Sequence, residues 1–322
     1  MENRNPIVGY TRSVPGNPEI QGVCTKILGE KKTTRDELLA FVPGLSALVT
    51  MYTDPVDNDL LDAAGDQLKI ICNFAVGYDN INISACKNRG VLVCNTPDAV
   101  TEGTANLAWL LIQATARRLI EADAYARSST YPQKGHLGMA EFLGMDLCNK
   151  VLLIVGAGRI GYATALRAKA FGMSILYTAR SRHIDFEMTP LGATRVTLED
   201  GLAQADVVSI HTPLTEQTRH LINADNLKLL KPTAILVNTS RGPVIDESAL
   251  VDALEANKLW GAGLDVYENE PTVHPGLVGL KNVVLTPHIG SAEIAWREAM
   301  TTMVTTNIRA ALAGQEPPNR IV

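Results

Sequence analysis

The chain has 322 residues, which is enough for about two domains of ordinary size. Hydrophobic residues make up 46% of the chain, charged residues 20%, and the mean hydropathy is +0.05. This composition is typical of globular proteins and excludes disordered, collagen-like and coiled-coil classes. Lys and Arg together number 29 and Asp and Glu 34, so the net charge of −5 argues against a nucleic-acid partner.

The compartment is indicated by three features. Segment 1–16 lacks the apolar core of a signal peptide. The most apolar helical stretch, 105–116, is shorter than the ~20 residues needed to span a bilayer. The cysteines form no CxxC pair and their number, five, is odd, so we expect reduced thiols. These features predict a cytoplasmic protein that binds no membrane and no structural metal.

Short apolar runs alternate with helical patterns along the chain, as is typical of parallel α/β proteins. In the first hundred residues the pattern predicts helices at 57–65 and from near Asn80. From Thr101 to position 126, apolar residues keep helical spacing with no Gly or Pro after Gly103, which predicts one long helix. The strands predicted in this part of the chain are 7–10, 47–50, 69–73 and 91–94.

A loop rich in Gly, Pro and His is predicted at 128–149, and a second α/β series follows it. A final helix is predicted within 291–314. The strands predicted in the second series are 151–155, 174–178, 206–210, 234–238, 261–266 and 282–286.

A glycine-rich turn joins the first strand of this series to a helix. It has the pattern GxGxxG, with Gly156, Gly158 and Gly161 at the fixed positions. Gly156 permits the turn, Gly158 allows a pyrophosphate to approach the backbone, and Gly161 allows the helix to pack on the strand. Free amides at the helix N-terminus favour anions. The strand–turn–helix context favours a dinucleotide site over a purely structural turn.

The end of the following strand indicates which dinucleotide is bound. An NAD site usually has Asp or Glu about 20 residues beyond the glycine turn, to accept hydrogen bonds from the ribose. Here Ala179 holds that place, and Arg180, Ser181 and Arg182 follow it. Guanidinium and hydroxyl groups suit a 2′-phosphate, which favours NADP, with NADPH preferred over NADH. A solvated basic turn would explain the two arginines but not the missing acid.

Three later segments carry further motifs, and two earlier ones accompany them. The earlier segments are Ala75-Val76-Gly77-Tyr78-Asp79-Asn80-Ile81 and Asn95-Thr96-Pro97. The later ones are Leu236-Val237-Asn238-Thr239-Ser240-Arg241-Gly242, Gly263-Leu264-Asp265-Val266-Tyr267-Glu268-Asn269-Glu270-Pro271 and Leu285-Thr286-Pro287-His288-Ile289-Gly290-Ser291. In this order they resemble the D-isomer-specific 2-hydroxyacid dehydrogenase family over nearly the whole chain. Within it, the chain is most similar to the NADPH-dependent glyoxylate/hydroxypyruvate reductases.

The resemblance implies a catalytic set whose chemistry suits reduction of a 2-oxo acid. Arg241 would bind the substrate carboxylate and polarise the carbonyl, since its planar fork matches a carboxylate. His288 would donate the proton, and Glu270 would bond its other ring nitrogen. Each residue alone has a structural interpretation: a surface arginine, a loop histidine and an exposed turn. The other histidines are interpreted as structural, except His211, which the resemblance places beside the cofactor.

The resemblance also implies the remaining contacts. Val76 and Gly77 would offer backbone N–H groups to the substrate carboxylate. Thr104 and Asp265 would lie beside the nicotinamide, with Asp265 accepting from the carboxamide. Arg159 and Ile160 would cover the pyrophosphate. The adenosine side would be lined by Thr212, Pro213 and Thr218, and the wall completed by Thr239 and Gly290.

The architecture implied is α/β, with two Rossmann-like parallel-sheet domains, one flavodoxin-like and one dinucleotide-binding, and the active site in a cleft between them. The substrate-binding domain would comprise 1–100 plus 291–322, and the dinucleotide-binding domain 101–290. The helix from Thr101 and the loop 128–149 resemble the dimer arm of the family, so a homodimer is expected.

The leading hypothesis is an NADPH-dependent reductase of small 2-oxo acids, glyoxylate and hydroxypyruvate first. A dehydrogenase for 3-phosphoglycerate or longer 2-oxo acids is an alternative, although 76–79 carries no cation for a phosphate and no regulatory domain is expected after Val322. Formate dehydrogenase is disfavoured because that branch has Gln where Glu270 stands. A dinucleotide-sensing scaffold like certain co-repressors is a third hypothesis, since fold does not fix function.

Overall fold

The computed structural model describes residues 5–322, so part of segment 1–16 lies outside the described residues. The chain divides into two compact units. One comprises the chain up to Gly103 together with Ser291–Val322, and the other is Thr104–Gly290.

The strands are β1 Ile7–Tyr10, β2 Cys24–Ile27, β3 Ala47–Thr50, β4 Ile70–Asn73, β5 Leu92–Cys94, β6 Val151–Val155, β7 Ser174–Thr178, β8 Thr194–Arg195, β9 Val207–Ile210, β10 Ile235–Asn238, β11 Gly261–Leu264 and β12 Val283–Leu285. The α-helices are α1 Arg35–Phe41, α2 Asn58–Ala64, α3 Ile83–Asn88, α4 Thr101–Ala116, α5 Leu119–Arg127, α6 Thr130–Lys134, α7 Arg159–Ala170, α8 Ile184–Glu187, α9 Leu198–Gln204, α10 Ala224–Leu227, α11 Glu247–Glu255, α12 Pro275–Val278 and α13 Ile294–Leu312. A short 3-10 turn spans Gly242–Val244.

The first unit contains a five-stranded parallel sheet with the order β2-β1-β3-β4-β5, which is the flavodoxin-like order. Strands β3 and β4 are buried along their whole length, as their continuous apolar runs require. The chain returns to this unit at α13, and the C-terminal residues bond to β5, where Ile321 N donates to Val93 O at 2.7 Å.

The second unit contains a seven-stranded parallel sheet with the order β12-β11-β10-β9-β6-β7-β8. Read from β8, this is the Rossmann order extended by one strand, and the order reverses between β6 and β9. The carboxyl ends of β6, β9, β10, β11 and β12 all lie at one edge of the sheet. The two sheets, parallel throughout, confirm the predicted α/β fold class.

The long helix predicted from Thr101 to position 126 is wrong, because the structure has two helices, α4 and α5, that break at Arg118. Arg118 takes a left-handed conformation with φ of 52°. The last carbonyls of α4 accept tertiary hydrogen bonds: Met145 N donates to Ala116 O at 2.8 Å and Trp260 Nε1 to Thr115 O at 3.1 Å. These partners replace the bonds that would continue the helix.

The other differences between the predicted and the observed elements lie at the edge strands of the sheets and at helix ends and loops. The sequence missed β2 and β8, which are edge strands with mostly exposed residues and no continuous apolar run. The helix expected near Asn80 begins at Ile83, because the Asn82 side chain caps it by accepting from Ala85 N. The predicted loop 128–149 contains α6.

Candidate active site

The glycine turn after β6 has the geometry that a dinucleotide requires. Gly156 has φ of 103°, and a Cβ there would lie 2.8 Å from the carbonyl carbon of His211. A Cβ on Gly161 would lie 2.5 Å from Gly156 O, whereas one on Gly158 would meet nothing within 4 Å. Gly158 is the N-cap of α7 and makes no side-chain cap, so the helix start, with Arg159 and Ile160, has the amides that bind anions.

The residues after β7 form an exposed basic loop. Ala179 stands where an acid would bind ribose hydroxyls, and the Arg180 side chain is exposed. The Arg182 guanidinium is 70% exposed and pairs with Glu187, with Nε 2.7 Å from Oε2. Glu187 Oε1 accepts from the hydroxyl of buried Tyr177 at 2.8 Å. Glu187 therefore holds one edge of the Arg182 guanidinium group, and the rest of that group faces solvent.

A further arginine, which sequence reasoning missed, supports this loop from β8. Arg195 Nη2 donates to Ala179 O at 2.9 Å and to Arg180 O at 3.1 Å. The Ser181 hydroxyl lies 3.5 Å from His183 Nε2. No sequence signal marks Arg195, because β8 is a two-residue edge strand without a period. The loop after β7 and its support from β8 thus bring together the side chains of Arg180, Ser181, Arg182 and Arg195.

The loop after β9 forms the next part of the sheet edge. His211 N donates to Val155 O at 2.8 Å, and its Nε2 lies 2.9 Å from Ser209 Oγ. Burial of the ring lowers the pKa of His211 to about 3, so the imidazole is neutral at physiological pH. Further along, Thr218 Oγ1 donates to Pro213 O at 2.6 Å, so this hydroxyl holds the loop itself together.

Two buried hydroxyls at this edge have no hydrogen-bond partner among the described residues. They are Oγ1 of Thr212, after β9, and Oγ1 of Thr239, after β10. Buried polar atoms are rarely left unsatisfied, and each of these hydroxyls has hydrogen-bonding capacity to offer a ligand at this edge. Together with the open approach at Gly158, they fit a dinucleotide along this edge.

Arg241 follows β10 in an extended conformation held by the side chain of Asn238. Asn238 Nδ2 donates to Arg241 O at 2.9 Å, and Asn238 Oδ1 accepts from Ser240 N at 2.9 Å. Asn238 is fully buried, so this turn is fixed by the core. Gly242 is required next, since a Cβ there would lie 1.9 Å from the Tyr267 carbonyl carbon.

Glu270 and His288 form a hydrogen-bonded pair. Glu270 Oε2 lies 2.8 Å from His288 Nδ1, and the two side chains are 23% and 21% exposed. Glu270 Oε1 accepts from Tyr267 N at 3.1 Å, so both carboxylate oxygens are engaged. This arrangement fixes the orientation of the imidazole ring.

The turn that carries His288 is held by the carboxylate of Asp265, which follows β11. Asp265 Oδ1 accepts from Thr286 Oγ1 at 2.7 Å and from Ile289 N at 2.8 Å, and Oδ2 accepts from Gly290 N at 2.8 Å. Burial raises the pKa of Asp265, against the lowering effect of these hydrogen bonds and of His288. His288 itself has φ of 56°, an uncommon conformation that these bonds maintain.

The other predicted residues are placed as follows. Gly290 packs close to Thr104 and Asp265, since a Cβ on it would lie 3.3 Å from each side chain. Val76 and Gly77 follow β4 in the first unit, where Asn95 Nδ2 donates to Val76 O at 2.8 Å and Asn73 Nδ2 to Gly77 O at 2.7 Å. Their role toward a substrate stays a prediction.

The structure described for residues 5–322 holds no group of three or more His, Cys, Asp or Glu side chains arranged to bind a metal ion. Over the same residues, none of the helices combines the length and apolarity that crossing a membrane demands.

Comparison with known proteins identifies the family. Residues 109–290, more than half of the chain, match the D-isomer specific 2-hydroxyacid dehydrogenase, NAD binding domain. A glyoxylate reductase of Thermococcus onnurineus is 48% identical over 295 residues, which cover 91% of this chain and 87% of that protein.

Two solved structures extend the comparison. A Thermus thermophilus protein superposes with a TM-score of 0.92 at 40% identity, covering 98% of this chain and 100% of that one. The NADPH-dependent glyoxylate/hydroxypyruvate reductase of Sinorhizobium meliloti, in complex with NADP and malonate, superposes with a TM-score of 0.85 at 32% identity, covering 99% and 97%. The chain belongs to the D-isomer-specific 2-hydroxyacid dehydrogenase family.

Proposed function

We propose that this protein is an NADPH-dependent reductase of small 2-oxo acids, converting glyoxylate to glycolate and hydroxypyruvate to D-glycerate. The observation that carries the proposal is the Glu270–His288 pair, 2.8 Å apart, at the sheet edge that also bears Arg241. Relatives that are glyoxylate reductases, 48% identical in one case, support the substrate class.

The chemistry assigned to the chain follows from these groups. NADPH, when bound, supplies a hydride for C2 of the 2-oxo acid. Arg241 binds the carboxylate and polarises the adjacent carbonyl through its planar fork. His288 donates a proton from Nε2 to the carbonyl oxygen, which becomes the hydroxyl, and Glu270 orients the ring through Nδ1.

The preference for NADPH is supported by charge at the end of β7. Ala179 removes the acid that would bind a ribose diol and repel a phosphate, and Arg180 offers an exposed guanidinium beside it. The NADPH-dependent S. meliloti relative, solved in complex with NADP, supports the same preference. In this proposal the unit Thr104–Gly290 binds the dinucleotide and the other unit contributes the substrate-binding domain.

The test is an assay of the purified protein with glyoxylate and with hydroxypyruvate, each with NADPH and with NADH. We expect turnover of both acids and a kcat/KM at least tenfold higher with NADPH. A preference for NADH would overturn the cofactor assignment alone. Absence of turnover with every short 2-oxo acid, while NADPH still binds, would overturn the activity and favour a dinucleotide-sensing role.

We also propose a homodimer, assembled through the segment that contains α4, α5 and the following loop. Large apolar side chains are exposed there, and a covered interface would remove them from water. They are Leu110, Leu119, Ile120, Met139 and Leu143. Sedimentation at micromolar concentration is expected to show a dimer, and a monomer alone would contradict the proposal.

A further inference from the structure

A buried carboxylate that the proposed mechanism does not use lies behind the catalytic pair. Glu247 is the first residue of α11, and only 3% of its surface is exposed. Its Oε1 accepts a hydrogen bond from Glu268 N at 2.8 Å. Burial raises the pKa of Glu247, against the lowering effect of the hydrogen bond from Glu268 N and of His274, and the nearby carboxylates of Glu268 and Glu270 also raise it. A carboxylate kept in such a costly place calls for an explanation.

The peptide that Glu247 holds, between Tyr267 and Glu268, is where the predicted catalytic residues meet. Gly242, directly after Arg241, packs against it so closely that a Cβ would lie 1.9 Å from Tyr267 C and 2.4 Å from Glu268 N. On the same backbone, Tyr267 N donates to Glu270 Oε1 at 3.1 Å.

The tyrosine side chain connects the same segment to the strand that leads to His288. Tyr267 is 5% exposed, and its hydroxyl donates to Thr286 O at 2.8 Å. The other side of the segment is held by the Glu268 side chain, whose Oε1 lies 2.5 Å from His220 Nε2. His220 N in turn donates to Pro243 O at 2.8 Å, which ties this pair to the turn after Arg241.

We propose that Glu247 is a positioning residue for catalysis. By accepting a hydrogen bond from Glu268 N, it fixes the Tyr267–Glu268 peptide. That peptide in turn places Glu270 against His288 and Gly242 beside Arg241. The proposal rests on the proposed function, in which Glu270 and His288 act together. The simpler alternative is that Glu247 only stabilises the start of α11, where a negative charge interacts favourably with the helix dipole.

Two conservative substitutions separate these roles. Glu247→Gln keeps an acceptor oxygen at the same reach but removes the charge, so the bond from Glu268 N is retained. Glu247→Asp keeps the charge at the helix start but shortens the side chain by one C–C bond of about 1.5 Å, which withdraws the acceptor. A positioning role predicts an active Gln variant and an impaired Asp variant, whereas a helix-start role predicts a lower melting temperature for Gln and no catalytic change for Asp.

The first readout is kcat against pH for glyoxylate reduction at saturating NADPH. In Glu247→Asp we expect kcat to fall at least about tenfold, because a misplacement of catalytic groups by about 1 Å can cost about 100-fold. The pH profile of kcat should differ from that of the wild type, because Glu270 no longer holds the His288 ring in its wild-type geometry. Glu247→Gln should stay within about threefold of the wild type, with an unshifted profile.

The second readout needs no turnover. The 15N shift of His288 Nδ1 in histidine-labelled protein, assigned with His288→Ala, reports the hydrogen bond to Glu270. It should move toward its value in Glu270→Ala for the Asp variant and stay in place for the Gln variant. Matched controls are Glu255→Asp and Glu255→Gln, exposed on the same helix, which should change neither readout.

The outcomes are distinct. Wild-type protein that turns over no 2-oxo acid contradicts the proposed function, and the Nδ1 shift still decides whether Glu247 positions the pair. A wild-type profile and an unmoved Nδ1 shift in Glu247→Asp would overturn the positioning role and leave the helix-start role. Impairment of both variants with no recovery in Gln would also overturn it, since the charge rather than the reach would then matter.

Discussion

Two groups of residues along the carboxyl edge of the seven-stranded sheet differ in burial. The residues after β10, β11 and β12 form the proposed catalytic end, and the residues after β7 form the exposed end. After β11 the carboxylates of Glu270 and Asp265 are half-buried or buried, and both oxygens of each are engaged in hydrogen bonds. At the carboxyl end of β7, the arginines are exposed, and Arg182 is held by one carboxylate.

The difference follows from the chemistry expected at each end. A proton donor must be held within a fraction of an ångström of its acceptor, which requires buried, multiply bonded supports. A 2′-phosphate is selected by charge, which acts over longer distances and is screened by solvent. Substitutions at the first end should therefore have large effects and those at the second small ones.

The largest effect is expected at His288. His288→Ala removes the proposed proton donor and should lower kcat for glyoxylate reduction by ~10²–10⁴, with little change in NADPH affinity. Steady-state kinetics and a direct NADPH titration measure the two quantities. His136→Ala, at an exposed histidine, serves as the control and should behave as wild type. A kcat for His288→Ala within tenfold of wild type would exclude His288 as the donor.

The next effect concerns His211, at the buried end of β9. Its pKa of about 3 lies below the usual 6.5, so between these values the unfolded chain binds a proton that the folded protein does not. Stability is therefore lost as the pH falls below 6.5, by ~2 kcal/mol at pH 5.

The change that tests this is His211→Gln, which removes the titrating ring. Urea denaturation at pH 7.5 and pH 5 should show that the variant loses less stability on acidification than the wild type. His136→Gln is the matched control, and its loss should equal that of the wild type. An equal loss in His211→Gln would mean that the ring is accessible to protons in the folded state.

The buried and exposed parts of the sheet also differ in how well the sequence predicts them. Strands β6, β9 and β10 are buried apolar runs, and their order in a parallel sheet places the residues that follow them at one edge. The pattern therefore predicted the fold class, and the resemblance to the dehydrogenase family pointed to Arg241, Glu270 and His288.

The sequence could not predict features that depend on tertiary contacts, because the residues that make these contacts follow no periodic pattern along the chain. The break at Arg118 comes from bonds that Met145 and Trp260 make to the end of α4, and neither residue signals this locally. Arg195 reaches the basic loop from a two-residue edge strand. Glu187 and Glu247 resemble ordinary helix carboxylates until the packing shows which groups they bond.

At the exposed end, Arg180 should have the clearest effect. Arg180→Ala removes a guanidinium for the 2′-phosphate and should raise the KM for NADPH about tenfold, the lower end expected for a hydrogen bond to a charged group. The KM for NADH should not change, and this comparison within one variant is the control. Equal changes for both cofactors would indicate a role in binding the shared adenosine part.

The smallest effect is expected at Glu187. A substitution there tests whether charge alone determines phosphate binding at the exposed end. Arg182, with the Tyr177 hydroxyl, lowers the pKa of Glu187, so the carboxylate is ionised at neutral pH and offsets one positive charge of the loop. Glu187→Gln removes that charge and should strengthen binding of 2′,5′-ADP about threefold, as expected for an exposed pair, without altering binding of 5′-ADP. Calorimetry at low and at 0.5 M salt measures both, and the gain should vanish at the higher salt because exposed charges are then screened. Weaker binding of 2′,5′-ADP by Glu187→Gln would mean that the ion pair orients Arg182 toward the phosphate, and the exposed end would then depend on position as the catalytic end does.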